Sequence, residues 1–239
     1  MTFRRLPWDQ RREEIIAAAI EVFQTAQDAS LEDIAKAAGS SRSSVYRYFD
    51  NKQDLFQAAF QQVASALAGR LAEVPPGVRS ARLAEQIHRY FDFVEEYRVG
   101  FTVMLSWGAF RVSEETREVA GEVRGQVCQM VYDSLEIAEP GPFLVSTVHS
   151  WIAGVESATV GWLRDPGVSR LEVEPLVAAQ LGGMLVAAAT FEPVIAERLT
   201  CWVAAEPHDG LFAAQVRTLT ALLTPGLIAD LFGILAHEG

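Results

Sequence analysis

Cysteine is close to absent from this 239-residue chain: Cys128 and Cys201 are the only two, and neither belongs to a CxxC pair. A disulfide framework and a thiolate metal site are therefore not expected. Histidine is nearly as scarce. Its four residues lie far apart with no HxxxH or HExxH spacing, so it offers no metal site either. No GxGxxG, P-loop or GxSxG run occurs, and spacing nominates no grouping of serine, histidine and acid. The expectation is a protein that is not an enzyme and carries no cofactor. The start of the chain lacks the apolar core of a secretory signal. The most apolar later stretch, 181–191, is shorter than the roughly 20 residues that span a bilayer. A cytoplasmic, reducing location follows as the default. Strand signals are missing too, since β-branched runs are few and no alternating segment has convincing length.

What is present is apolar and helix-favouring. Half of the residues are hydrophobic and 21% are charged, the balance of a folded globular chain. Ala and Leu are abundant, which leans the composition towards helix. The net charge of −11 is unevenly spread. Residues 1–60 hold eight Lys or Arg against nine Asp or Glu, whereas the remaining 179 hold twelve against twenty-two. Arg4, Arg5, Arg11 and Arg12 face a single acid, Asp9, within the first twelve residues. A nucleic-acid surface needs local positive charge rather than a basic whole, so DNA is restricted in where it can touch, not excluded.

Apolar residues recur at helical spacing along the chain. Ile16, Ala19, Ile20 and Phe23 predict a helix over 11–23. Ser30 with Asp33 three residues on is a capping-box arrangement, predicting a helix over 31–38 that Gly39 stops. After a short turn, 42–49 predicts a third helix, and Asn51 opens a long fourth one reaching about 73, where Pro75-Pro76-Gly77 breaks it. Further helices are predicted over 80–99, 101–110, 113–137, 143–163 and 173–191, with two or three shorter ones after Pro193. The fold class is all-α.

Residues 31–49 have the spacing of a helix-turn-helix. Ala35 is small where the second helix presses on the first, and Gly39 suits a turn that needs positive φ. Val45 and Phe49 would anchor the recognition helix, leaving Ser43, Ser44, Tyr46 and Arg47 on the opposite face. Arg47 can make a bidentate contact with guanine, while the hydroxyls can reach phosphates or base edges. Lys52, at the start of the fourth helix, suits a backbone phosphate.

The run IIAAAIEVF…SLEDIAKAAGSSRSSVYRYFDNKQDLFQAAF resembles the DNA-binding domain of the TetR family of bacterial repressors. The residues that carry the likeness are Ala18, Phe23, Ile34, Ala35, Ala38, Gly39, Ser41, Val45, Tyr46, Tyr48, Phe49, Lys52 and Leu55. A looser likeness to the family's paired later helices runs over 149–185. The resemblance implies that Ser30, Ser44, Tyr46, Tyr48 and Lys52 touch phosphates, and that Arg42, Ser43 and Arg47 read bases. Two departures stand out. The segment between Phe23 and Ile34 is about two residues short, and 193–239 extends past the family's usual end.

These readings divide the chain into a DNA-binding unit over 1–56, an effector-binding and dimerisation unit over 57–192, and a helical extension over 193–239. Core packing explains most of the aromatics between 90 and 110. Some of them, Tyr97, Phe101 and Trp107, are expected to line an effector cavity with Met104 and Trp151, and Arg89, Ser106, His149 and Ser150 are its polar candidates. Small residues on 143–163 and 173–191 let helices approach closely, placing Val155, Ala158, Trp162, Leu181 and Leu185 at a dimer face. The function implied is a homodimeric regulator, a repressor by family default, that binds a palindromic double-stranded DNA operator and answers to a small, mainly apolar effector. The alternative is control by a protein partner docking on the extension. No membrane partner is expected.

Overall fold

Every regular element among the described residues is an α-helix. The structure, a computed structural model, describes residues 8–26, 29–74, 77–98, 114–165, 167–207 and 210. The helices are α1 (Trp8–Thr25), α2 (Leu31–Ala37), α3 (Arg42–Val45), α4 (Lys52–Ala72), α5 (Arg79–Glu96), α6 (Glu114–Leu135), α7 (Pro142–Arg164), α8 (Arg170–Ala189) and α9 (Pro193–Ala205). The helix expected over 101–110 lies outside the described residues, as do Arg4, Arg5 and 211–239.

Two apolar clusters organise these helices. The first gathers Ile15, Ile16, Ala19 and Phe23 of α1 with Leu31, Ile34, Ala35, Val45, Phe49, Leu55 and Ala59. The second runs from Leu67 and Leu71 of α4 through α5, α6, α7 and α8 to Ile195, Leu199 and Trp202 of α9. Because α4 supplies residues to both, it is the strut that joins them. The first helix of the extension is therefore part of the main core. Glu192 fastens it further, accepting the Phe143 amide at 2.7 Å at the start of α7, where a carboxylate is favoured by the exposed amides of the first turn.

At the centre of the second cluster lies α8, packed against α5, α7 and α9. By length and composition it could cross a membrane, a property that the shorter window 181–191 did not show. Here its apolar residues Val177, Leu181 and Leu185 are at most 1% exposed and form the core. A capping box unnoticed in the sequence, Ser169 with Glu172, starts this helix three residues earlier than its apolar pattern. An ion cluster then ties it to α5. Arg170 bonds Asp92 and Glu95 at 2.7 Å each and pairs with Glu174, beside His88.

The third helix differs from expectation. Only Arg42–Val45 is regular; beyond it Arg47 N–H bonds Ser44 C=O and Tyr48 N–H bonds Val45 C=O, the tighter i→i−3 pattern. Asn51 then caps α4 by accepting the Asp54 amide at 3.0 Å, so the chain must turn before that point. The shortened link between α1 and α2 does not disturb the motif. Ala29 N–H reaches Ala26 C=O and the Ala29 side chain is buried.

Gly39 adopts φ +58°, with nothing within 4 Å of where a Cβ would stand. A side chain there meets no neighbour, so its cost is the left-handed backbone alone. Gly39→Ala is expected to lower unfolding free energy by about 1–2 kcal/mol, and Gly39→Asn by less. Denaturant melts read this directly, and unchanged stability in both variants would contradict the assigned turn.

Candidate nucleic-acid interface and adjoining cavity

The helix-turn-helix is held from below by the most buried residues of its cluster. Val45 and Phe49 are 0% and 1% exposed, so the segment cannot roll and the opposite residues are forced outward. Arg42, Ser43, Tyr46 and Arg47 are exposed, while Ser44, Tyr48 and Lys52 are half-buried. The ends of the motif are capped by side chains. Ser30 accepts the Asp33 amide and Asp33 accepts the Ser30 amide at 2.8 Å, and Ser41 accepts the Ser44 amide at 3.2 Å. The Ser30 hydroxyl and amide hold the Asp33 carboxyl below the usual carboxylate range.

The outward groups are partly organised by one another. Arg42 lies over the Tyr46 ring at 5.5 Å and donates to its hydroxyl at 3.4 Å. Ser43 and Ser41 share a hydroxyl contact at 3.0 Å. Arg11 and Arg12 are built into the unit, Arg11 donating to Gly39 C=O at 3.3 Å and Arg12 standing 5.2 Å over Phe49. One residue that sequence reading missed joins this surface. Trp8, first in α1, stacks on Tyr48 with ring centroids 4.1 Å apart. It gave no periodic signal, since Trp8 precedes the helix predicted over 11–23.

Beneath this surface a cavity of about 210 Å³ runs between the two clusters. Its wall comes from Ile20 and Phe23 of α1, Phe56, Phe60 and Leu67 of α4, Gln86 and Tyr90 of α5 with Tyr97 just after it, Val127 of α6 and Trp151 of α7, among others. Tyr97 and Trp151, expected at an effector site, both line it. Arg89 and His149 do not. Arg89 pairs with Glu85 at 2.7 Å, one turn back on its own helix, and His149 is on the exposed side of α7. Phe101, Met104, Ser106 and Trp107 lie outside the described residues.

Most of the polar side chains that reach the wall are already partnered. Tyr90 donates to Thr159 at 3.0 Å, Thr159 itself donating to Val155 C=O; burial raises the Tyr90 phenol well above its ordinary value, so it stays neutral. Gln86 donates to Leu71 C=O at 3.3 Å. Arg124 and Glu156 form a two-pronged pair at 2.8 and 3.0 Å between α6 and α7. The Trp151 indole N–H is spent on Val177 C=O at 2.8 Å, leaving its ring for the cavity. Sequence reading missed Gln86, Arg124 and Glu156, although Arg124 shows as a charge on the apolar stripe Ala120–Val123–Val127.

The face expected for a second copy needs correction. Trp162, Leu181 and Leu185 are at most 8% exposed, and Val155 and Ala158 pack against the same core. Helical period turns the other side of α8 outward, where Leu176 and Val186 are 52% and 55% exposed and Gly183 lies between them. On α7 the matching outward residues are Ser150, Ala153, Ser157 and Gly161.

Comparison with known proteins yields two family models in tandem. Residues 15–59 match "Bacterial regulatory proteins, tetR family" and 79–186 match "Tetracyclin repressor-like, C-terminal domain". A solved tetR-family transcriptional regulator from Streptomyces coelicolor is 32% identical with TM-score 0.84, the match covering 91% of this chain and 99% of that one. That coverage is more than residues 1–192 alone supply, so part of 193–239 has a counterpart there. The transcriptional activator FasR of Mycolicibacterium smegmatis is 32% identical over 111 residues, 42% of this chain and 48% of that protein. The chain spans about half the length of the curated relatives it matches. FadR of Bacillus subtilis, solved in complex with stearoyl-CoA, shares the fold at TM-score 0.57 and 21% identity, over 71% of this chain and 96% of that one.

The interface makes separable predictions. Arg47→Ala is expected to relax preference at one base position by about 1–3 kcal/mol, whereas Lys52→Ala weakens all duplexes alike. Anisotropy titrations against matched and mismatched duplexes check both. Unchanged binding in both variants would remove this surface from consideration.

Proposed function

Because this chain belongs to the TetR family of transcriptional regulators, we propose that it is a homodimeric repressor whose hold on a near-palindromic operator is released by a small apolar effector. The observation that carries this reading is the shared wall: Ile20, Phe23 and Phe56 belong to the DNA-binding unit and line the cavity. Phe23 and Phe56 meet edge to face at 5.5 Å, and the Lys52 ammonium stands 5.9 Å over the Phe23 ring. A molecule that fills the cavity therefore presses on the packing that holds α1, α4 and a phosphate-binding lysine in place. To release DNA appreciably it must favour the released arrangement by a few kcal/mol.

The effector is mainly apolar because the wall is mainly apolar and most of its polar groups are bonded within the protein. Compounds with a fatty acyl chain are the first to test, given the stearoyl-CoA held by FadR of Bacillus subtilis. The second copy docks on the outward side of α7 and α8, where Gly183, Gly161 and Ala153 permit close approach and Leu176 and Val186 supply apolar area. Two recognition segments then face successive major grooves.

The test uses a duplex enriched by the purified protein from a random pool, titrated with fatty acids and acyl-CoA esters of graded length. One or more is expected to release the duplex; a protein that binds none of them and holds its duplex throughout contradicts the effector class. Val127→Trp, which places an indole in the cavity, is expected to keep DNA binding and lose release. Leu176→Glu with Val186→Glu is expected to give folded monomers by ultracentrifugation. A dimer that survives both charges would move the interface elsewhere.

A further inference from the structure

Trp8 does more than helix packing requires. Its indole lies against Tyr48 with ring centroids 4.1 Å apart and 35° between the planes. The Arg47 guanidinium carbon sits 5.9 Å from the centre of the same indole. One aromatic side chain thus touches two consecutive residues of the recognition segment, and 51% of it remains exposed. The first helix is anchored by Ile15, Ile16 and Ala19, all at most 3% exposed, and Trp8 is no part of that cluster.

Arg47 needs support for a local reason. The regular helix ends at Val45, so Arg47 lies on the i→i−3 turns that follow and its direction is not fixed by a helix around it. A long side chain in that position holds many rotamers, and ordering them on DNA carries an entropic cost. A guanidinium resting on an aromatic ring uses its flat face for that contact. The N–H groups along its edge stay available for a base.

We propose that Trp8 is a specificity-determining positioning residue: in the free protein it orients Arg47 so that the guanidinium edge meets a guanine in the major groove. This rests on the base-reading interface proposed above. Trp8 contributes little to non-specific affinity, because neutral aromatic stacking releases no counterions from DNA.

The test compares full-length wild type, Trp8→Ala, Trp8→Phe, Arg47→Ala and the double variant Trp8→Ala/Arg47→Ala. Each is titrated against the duplex enriched by wild type from a random pool and against an unrelated duplex of equal length. Trp8→Ala is expected to lose about two- to fivefold in affinity for the enriched duplex, with affinity for the unrelated duplex and thermal stability unchanged. Trp8→Phe restores most of the loss, and the double variant binds no worse than Arg47→Ala. Equal weakening on both duplexes, or no loss in Trp8→Ala while Arg47→Ala loses affinity, overturns the role of Trp8 alone. Unaltered binding by Arg47→Ala overturns the base-reading interface and the role of Trp8 with it.

Discussion

The ring of Phe23 packs edge-on against Phe56, carries Lys52 over its face and forms part of the cavity wall. One side chain therefore belongs to the core of the helix-turn-helix and to the lining of the space behind it. Close-packed interiors do not deform continuously, so a change on one side of such a ring is felt on the other. Placing the recognition segment depends on that ring through α1 and α4, and the proposed release by an effector follows from the same contact.

The remaining contacts decide which parts can yield. Arg170, with Asp92, Glu95 and Glu174 around it, binds α8 to α5. Trp151 adds a buried hydrogen bond from α7 to α8, and Glu192 fixes the extension to the start of α7. These helices are fastened to one another by polar bonds as well as by packing. The cavity's other side, towards α1 and the first half of α4, is made of Ile20, Phe23, Phe56, Ala59 and Phe60. On the proposed account an occupant displaces that apolar side, which is the one that carries the DNA-binding groups.

Much of this was legible in the chain because local chemistry decides it. Gly39, Ala35, Val45 and the Ser30–Asp33 capping box each specify one backbone feature at one position, and the helix-turn-helix follows from their spacing. Other features depend on which of two apolar faces turns inward. On α8, Leu181 and Leu185 alternate with Leu176 and Val186, and only packing against α5, α7 and α9 settles that the first pair is core. The same ambiguity underlies the expected dimer face, of which Trp162, Leu181 and Leu185 are core. Arg89 and His149 were nominated as polar groups near aromatics, yet helical phase points them away from the cavity. Contacts such as Trp8 on Tyr48 join residues 40 positions apart and leave no periodic trace.

The central claim is that effector and DNA compete through one shared wall, and linkage makes that claim reciprocal. Calorimetry can measure the affinity of an acyl-chain effector for the free protein and for the protein saturated with its enriched duplex. The account predicts that bound DNA weakens the effector by the same factor by which the effector weakens DNA. Equal effector affinity with and without DNA would contradict it.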